Sequence, residues 1–152
     1  MSYTRVHGYD AGRIMAAAQP GDIVSLAEIA TVINNAAAQT LSAAALSGQI
    51  ILRQGAGAVS DVIDTAVNIM QACYGNTGSQ PKVGEGFLCW YSNQGASTVT
   101  ITGGTGVTVS GNTAVAATST RTLFLVCTAA GVTTFSAGVY TNTGATFNCI
   151  VL

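Results

Sequence analysis

The sequence GEGFLCWYSNQGASTVTITGGTGVTVSGN, residues 84–112, decides the fold class of this chain. It begins as a half-apolar strand and continues, after a turn, as two segments in which Thr alternates with Val or Ile. Such alternation is typical of half-buried antiparallel strands, with the threonines on the outward side. Between the two segments, Gly103-Gly104 predicts a two-residue hairpin turn, because glycine adopts the required positive φ without strain. The buried stripe of this hairpin is predicted to be Val99, Ile101, Val107 and Val109.

The rest of the C-terminal half continues the same alternation. Turn signals rich in Gly and Asn separate short apolar runs, at the spacing typical of a sandwich or barrel. Predicted strands cover residues 86–92, 97–102, 106–110, 113–116, 120–129, 132–139 and 146–152. We therefore predict that residues 84–152 form an antiparallel β-sandwich or barrel.

Helical signals come earlier in the chain. Ser25 and Glu28 form a capping-box pattern, and the apolar residues around them predict a helix over residues 26–37. Thr40 predicts the cap of a further short helical turn, which Gly48 ends.

A second, stronger helical pattern follows a short apolar strand at residues 49–53. Residues 61–74 place their apolar side chains on one stripe, with Ser60 or Asp61 as the cap. On this interpretation Asp61 and Asp64 lie in the first helical turn, where they complement the helix dipole.

These elements predict an α+β protein that is mainly β. An N-terminal arm, residues 1–24, precedes a single domain over residues 25–152. Its helical part, residues 25–75, holds two or three helices and one short strand, and its β part covers residues 84–152.

The composition limits the possible partners. Charged residues make up 7% of the 152 residues, against about 25% in a typical soluble domain. Within residues 86–152 the only formal charge is Arg121, which leaves no electrostatic footprint for nucleic acid or an anionic membrane. A surface with so little charge does little to resist association, so we expect a homo-oligomer or a docked subunit. No signal peptide or transmembrane helix is predicted.

The cysteines do not form a metal-binding pattern. They are widely spaced, without a C-x-x-C pair, and His7 is the only histidine that could join them, so no metal site is predicted. Strand parity predicts buried free thiols that act as small hydrophobic side chains. Disulfides, formed after release to an oxidising exterior, remain the alternative. The candidate thiols are Cys73, Cys89, Cys127 and Cys149.

The other motifs do not predict a catalytic or cofactor-binding site. Residues 55–60, GAGAVS, resemble a dinucleotide-binding turn, but Ser60 replaces the third glycine and no second βαβ unit follows. We interpret this segment as a glycine link into a helix, and we predict no cofactor. Trp90 and Tyr91 lie on opposite strand faces, so one of them can be exposed, and core packing is the prediction for Trp90.

The N-terminal arm is rich in aromatic and basic side chains, a composition typical of contact surfaces. A frayed terminus is the alternative. The candidate partner contacts are Tyr3, Arg5, His7, Tyr9 and Arg13.

Two ordered blocks of the chain resemble a known family. They are LSAAALSGQIILRQGAGAVSDVIDTAVNIMQA, residues 41–72, and VGEGFLCWYSNQGASTVTITGGTGVTVSGNTAVAATSTRTLFLV, residues 83–126. In this order, the strand, the helix, the VGEGF segment and the Thr-Val hairpin resemble a small structural module of tailed-bacteriophage virions. Asp61 and Asp64 stand where the family usually has a proline before its helix, and the cysteines are more numerous than usual.

The resemblance implies a non-enzymatic virion structural protein. A capsid decoration (cement) protein is the first expectation: a homotrimer on the capsid exterior, assembled in the host cytoplasm, that contacts the major capsid protein or another virion protein. The alternative is a fibre or adhesion module that binds host-surface glycan through Trp90 or Tyr91. An enzyme that uses a cysteine is a distant third hypothesis.

Overall fold

The structure is a computed structural model that describes residues 30–47, 50–55, 57–77, 79–137 and 139–152. The predicted arm, residues 1–24, and the start of the predicted helix at 26–37 lie outside the described residues. The described chain is mainly β with a minor helical part, which confirms the predicted α+β class.

In the first half of the described chain each pair of strands is followed by a helix, and strands alone fill the second half. The helices are α1 (Ala43–Ser47) and α2 (Ala66–Thr77). The strands before α2 are β1 (Ala30–Ile33), β2 (Thr40–Leu41), β3 (Ile50–Arg53) and β4 (Val59–Ile63). Those after it are β5 (Gly86–Asn93), β6 (Val99–Gly103), β7 (Val107–Gly111), β8 (Ala114–Val115), β9 (Ser119–Ala129), β10 (Val132–Ser136), β11 (Val139–Thr143) and β12 (Thr146–Val151).

The chain distributes its strands between two main sheets. In the described residues, a six-stranded sheet has the order β1-β3-β5-β9-β12-β7 and a four-stranded sheet has the order β2-β4-β6-β8. Successive strands from β1 to β9 alternate between the two sheets. Because the chain re-enters each sheet from the same end, β1, β3 and β5 are parallel, and so are β2, β4 and β6.

The antiparallel pairing predicted for residues 84–152 is found between most of the strands there, and it is wrong for β7, which is parallel to β12. Antiparallel pairs join β5 to β9, β9 to β12 and β6 to β8, and β10 and β11 form a separate two-stranded sheet. β7 closes the six-stranded sheet by parallel pairing with β12.

The predicted helix over residues 26–37 is wrong where the structure describes it. Residues 30–33 form β1, which pairs with β3 in parallel register from Ala30–Ile50 to Ile33–Arg53. This segment contains consecutive β-branched residues, which favour the extended chain once a neighbouring strand is available. Thr40 is likewise part of a strand and not a cap. The hydroxyl of Ser42 accepts the N–H of Ala45 at 3.2 Å and caps α1 instead.

The second predicted helix exists but begins later than residue 61. Val59–Ile63 is β4, so the segment GAGAVS links two strands and not a strand to a helix. The hydroxyl of Thr65 accepts the N–H of Asn68 at 3.3 Å and caps α2. Asp61 is therefore no helix cap; it is a buried residue of β4.

Gly103-Gly104 does not form the predicted hairpin turn. β6 belongs to the four-stranded sheet and β7 to the six-stranded sheet, so this turn moves the chain between sheets. The tight bend lies at Gly106, whose φ is 79°. Gly104 is needed for space, because a Cβ there would lie 2.5 Å from the carbonyl oxygen of Ile63.

The core lies on the inner faces of both sheets and beneath the helices. The predicted stripe is present: Val99, Ile101 and Val107 are buried, and Val109 packs against them while half-buried. α1 and α2 cover the inner face through Leu46, Ile69 and Met70. The predicted strand over residues 132–139 ends early, and β11 was not predicted because its sequence, VYTNT, contains polar turn-forming residues.

Candidate interaction surfaces

The outward face of the six-stranded sheet carries a group of apolar side chains among uncharged polar ones. Side chains that alternate with the buried ones on each strand share this face, as the strand registers show. Leu88 and Trp90 on the central strand β5 are 53% and 55% exposed. We call the following set the outer sheet face: Val32, Ile50, Leu52, Leu88, Trp90, Phe124, Val126 and Ile150.

Polar side chains border the outer sheet face and bond to one another across strands. The hydroxyl of Thr120 donates to that of Ser92 at 3.0 Å, and the hydroxyl of Ser110 donates to the amide oxygen of Asn148 at 3.4 Å. Because these groups satisfy one another, the face presents an apolar centre with a neutral polar border.

Trp90 is exposed, so the prediction that it packs in the core is wrong. The alternation that buries Cys89 and Tyr91 necessarily turns Trp90 outward with Leu88. The alternation along β5 is visible in the sequence and by itself places Trp90 outward. The general preference of tryptophan for burial led to the opposite prediction. Tyr91, the other aromatic candidate, is fully buried.

A second apolar surface lies on the hairpin of β10 and β11. Val132, Phe135 and Val139 are 67%, 67% and 58% exposed. The hairpin is held to the body by Tyr140, whose ring stacks on Tyr74 with a centroid distance of 4.8 Å. It belongs to neither main sheet, and it carries its exposed apolar side chains away from the core.

A buried polar network joins the two main sheets. The Arg53 guanidinium of β3 donates to the Asp61 carboxylate of β4 at 2.8 Å, and both side chains are fully buried. The Tyr91 hydroxyl of β5 donates to the same carboxylate at 2.7 Å. The guanidinium also donates to the carbonyl oxygens of Asn35 and Ala37, which fixes the loop after β1.

The geometry of this network indicates a structural role. Asp61 accepts a further bond from the N–H of Gln39 at 2.9 Å, so both of its carboxylate oxygens are bonded. Burial, together with the hydrogen bond to Asp61, raises the pKa of Tyr91 and keeps its hydroxyl protonated. The network was not predicted from the sequence, because the helical pattern of residues 61–74 places Asp61 in the first turn of a helix.

No disulfide links the four cysteines in the structure. Cys89, Cys127 and Cys149 are buried, and Cys73 is half-buried. Burial raises the pKa of Cys89 and Cys149 to about 12 and that of Cys73 to about 11. The nearby thiols Cys149 and Cys127 add to the shifts of Cys89 and Cys73. A thiol with a raised pKa is a weak nucleophile, because only the thiolate attacks.

The remaining predicted site residues belong to the N-terminal arm. The candidate partner contacts Tyr3, Arg5, His7, Tyr9 and Arg13 lie outside the described residues. Within the described ranges, no three His, Cys, Asp or Glu side chains form a group that could hold a metal ion. None of the described helices is long and apolar enough to cross a membrane.

Comparisons of the chain with protein-family models, with curated proteins and with solved structures gave no match.

Proposed function

We propose that this chain is a non-enzymatic structural protein of a tailed-bacteriophage virion, and that it decorates and stabilises the capsid exterior as a homotrimer. It is assembled in the host cytoplasm and contacts the major capsid protein or another virion protein. Such a subunit acts by burying surface across subunit boundaries, which raises the barrier to rupture of the filled head.

The observation that supports this proposal is a weakly charged chain with two separate exposed apolar surfaces. The outer sheet face and the β10–β11 hairpin each present aromatic and aliphatic side chains that are about half exposed or more. Exposed patches of this kind mark interaction sites in soluble proteins. A subunit that joins copies of itself and also holds another protein needs two such surfaces.

The finer architecture belongs to the same proposal: the two main sheets face each other as a sandwich. Arg53 and Tyr91 of the six-stranded sheet both reach Asp61 of the four-stranded sheet through fully buried side chains. Contacts of this length support an arrangement in which the inner faces lie opposite one another near β3 and β4.

The hairpin is the proposed contact with the other virion protein. It is anchored at its inner side by the stack of Tyr140 on Tyr74, so it holds its position while Phe135 and Val139 stay accessible. Aromatic residues at exposed positions are the usual anchors of such contacts.

Binding to undecorated phage heads tests the proposal. Purified protein is added to heads that lack it, and co-sedimentation and resistance of the heads to rupture by heating are measured. We expect saturable binding and greater resistance. Phe135→Asp is expected to weaken binding, whereas Thr134→Asp, at a neighbouring exposed position of β10, serves as the matched control. Failure of the wild-type protein to bind any head would overturn the proposal.

A glycan-binding fibre or adhesion module is the second candidate, and the exposure of Trp90 favours it. An indole ring that is 55% exposed on a flat sheet can stack on a sugar ring. Glycan-array binding that is lost in Trp90→Ala and kept in Phe135→Ala would support this function. Tyr91 is excluded from direct glycan contact by its burial.

A further inference from the structure

We propose that the outer sheet face is the surface through which copies of this chain associate. The inference rests on the homo-oligomer of the proposed function and names the surface that forms it. The occupant of the face is a second copy of the chain, whose own outer sheet face packs beside it around the axis of the trimer.

The charge of the face argues for a copy of itself. None of the described residues that β1, β3, β5, β7, β9 and β12 direct to this side is ionisable. Arg53 and Arg121, the only ionisable side chains on the described strands of this sheet apart from cysteine and tyrosine, alternate to the opposite side with Ile51 and Leu123. A neutral face offers no complementary charge to nucleic acid, an anionic membrane or an acidic protein. Two neutral faces meet without like-charge repulsion, which makes the face complementary to itself.

The size of the face is sufficient for a stable contact. Six strands at the usual spacing span roughly 24 Å between the outermost strands. β9, the longest strand, has 11 residues and extends about 35 Å. The other strands of the sheet have 4 to 8 residues, so the face is smaller than a rectangle of these dimensions and measures roughly 600 Å². This value is at the lower end of the area that each partner buries in a stable protein interface.

The arrangement of the side chains matches that of an interface. Trp90 lies at the middle of the face, with Ile50 beside it on β3 and Leu88 two residues before it on β5. The polar border formed by Ser92, Thr120 and their neighbours is already hydrogen-bonded within the chain. Thr122 of β9 and Ser92 of β5 complete the surroundings of Trp90 on this face. A tryptophan with aliphatic neighbours on one side and hydroxyl groups on the other is a common form of a binding hot spot.

Trp90 makes the proposal directly measurable, because it is the only tryptophan in the chain. Its emission wavelength and its quenching by acrylamide therefore report on this face alone. In a dilution series of the wild-type chain, followed in parallel by analytical ultracentrifugation, we expect a blue-shifted, protected indole in the oligomer. Dissociation should shift the emission to the red and increase the quenching at the same concentration at which the mass falls.

Leu88→Lys tests the face while it retains the probe. Leu88 is more than half exposed, so the change should leave the fold intact, as circular dichroism would verify. We expect the oligomer to dissociate at a concentration at least roughly 30-fold higher than the wild type, the effect of losing a hot-spot contact. Trp90→Lys, followed by ultracentrifugation, provides a second variant. Val83→Lys places the same charge on an exposed apolar position outside both apolar surfaces and should leave the dissociation concentration unchanged.

Three outcomes would overturn the inference. They are a wild-type chain that is monomeric at about 100 µM, an oligomer that Leu88→Lys leaves unchanged, and dissociation without a change at Trp90. A monomer with a protected indole would show that another part of the same chain covers the face. Because this experiment needs no capsid, an oligomer that fails to bind phage heads would overturn only the decoration proposal. A monomer that binds them would overturn this inference and the homotrimer, and it would leave capsid decoration standing.

Discussion

The two ends of the six-stranded sheet are held together by different chemistry. At the β3 end, the inner face meets the four-stranded sheet through the charged and polar side chains of Arg53, Asp61 and Tyr91. At the β12 end, the inner face is apolar and includes thiols. Its buried residues are Cys89, Leu123, Leu125, Cys127, Phe147, Cys149 and Val151.

β5 connects the two regions within a single strand. Cys89 packs at the apolar end, whereas Tyr91 and Asn93 face the polar end. The amide of Asn93 donates to the carbonyl oxygens of Ser97, Val115 and Ala116, and so it holds the chain where it leaves the sheet. The parallel region is therefore stabilised by a few directional hydrogen bonds, whereas the antiparallel region is stabilised by the apolar area that it buries.

The largest expected effect is the loss of the carboxylate at the polar end. Asp61→Ala leaves the Arg53 guanidinium buried without its counter-ion and removes the acceptor of the Tyr91 hydroxyl. We expect the free energy of unfolding, measured by urea denaturation, to fall by about 3 to 5 kcal/mol, because breaking a buried pair leaves an uncompensated charge.

Glu85→Ala is the matched control for this variant. The Glu85 carboxylate also accepts a backbone N–H, from Lys82 at 2.9 Å, but it lies at an exposed position. Its removal should cost less than about 1 kcal/mol. If the two variants lost equal stability, the polar network would not be what holds the parallel region.

The same contrast explains which parts of the fold could be predicted from the sequence. In the antiparallel region, alternation along each strand is a local signal, and β5, β9 and β12 were predicted to within a residue or two. In the parallel region, the residues of β1 and β4 carry no local signal that outweighs the helical pattern. Their strand conformation is set by partners 20 or more residues away, such as Ile50 for Ala30 and Val99 for Val59.

The candidate surfaces were predictable only in part. The alternation of side chains along each strand predicts that the cysteines face inward, and it places Leu88 and Trp90 on the outer face of the sheet. The general tendency of tryptophan to be buried led to the wrong prediction for Trp90. That Phe124 and Ile150 share the face with Leu88 depends on the register of three strands, which no local pattern supplies.

A smaller effect is expected at two turns. Each contains a glycine with nearly the same φ, so substitutions there allow the two regions to be compared. Gly106, between β6 and β7, has φ 79°, and Gly144, between β11 and β12, has φ 78°. A Cβ at Gly106 would lie 2.9 Å from both the Ala145 carbonyl oxygen and the Ala66 Cβ, whereas at Gly144 it would have no neighbour within 4 Å.

Gly144→Ala therefore measures the cost of the backbone conformation alone, about 1 to 2 kcal/mol. Gly106→Ala adds crowding where the chain moves between sheets beside α2, and we expect it to cost a further 1 to 3 kcal/mol or so in thermal or urea unfolding. Equal losses in the two variants would mean that the packing around Gly106 relaxes freely.

The smallest expected effect concerns the thiols of the apolar end, and it is seen in the pH dependence of stability. The pKa of Cys149 is raised to about 12 by burial, against an ordinary value of 9.0. Below pH 9 the thiol is protonated in both the folded and the unfolded chain, and it contributes no pH dependence. Between pH 9 and 12 the unfolded chain ionises first, so stability falls as the pH rises, by at most about 1.4 kcal/mol per pH unit for each such thiol.

Urea denaturation at pH 8 to 11 under reducing conditions measures this slope. Cys149→Ala should reduce the slope above pH 9 by about 1 kcal/mol per pH unit, whatever it does to the stability at pH 8. Val151→Ala, two residues along the same buried side of β12, should lower the stability at every pH and leave the slope unchanged. If Cys149→Ala kept the wild-type slope, its thiol would ionise as readily in the folded chain as in the unfolded one. The apolar end would then be open to water, and the contrast with the sealed polar network around Asp61 would fail.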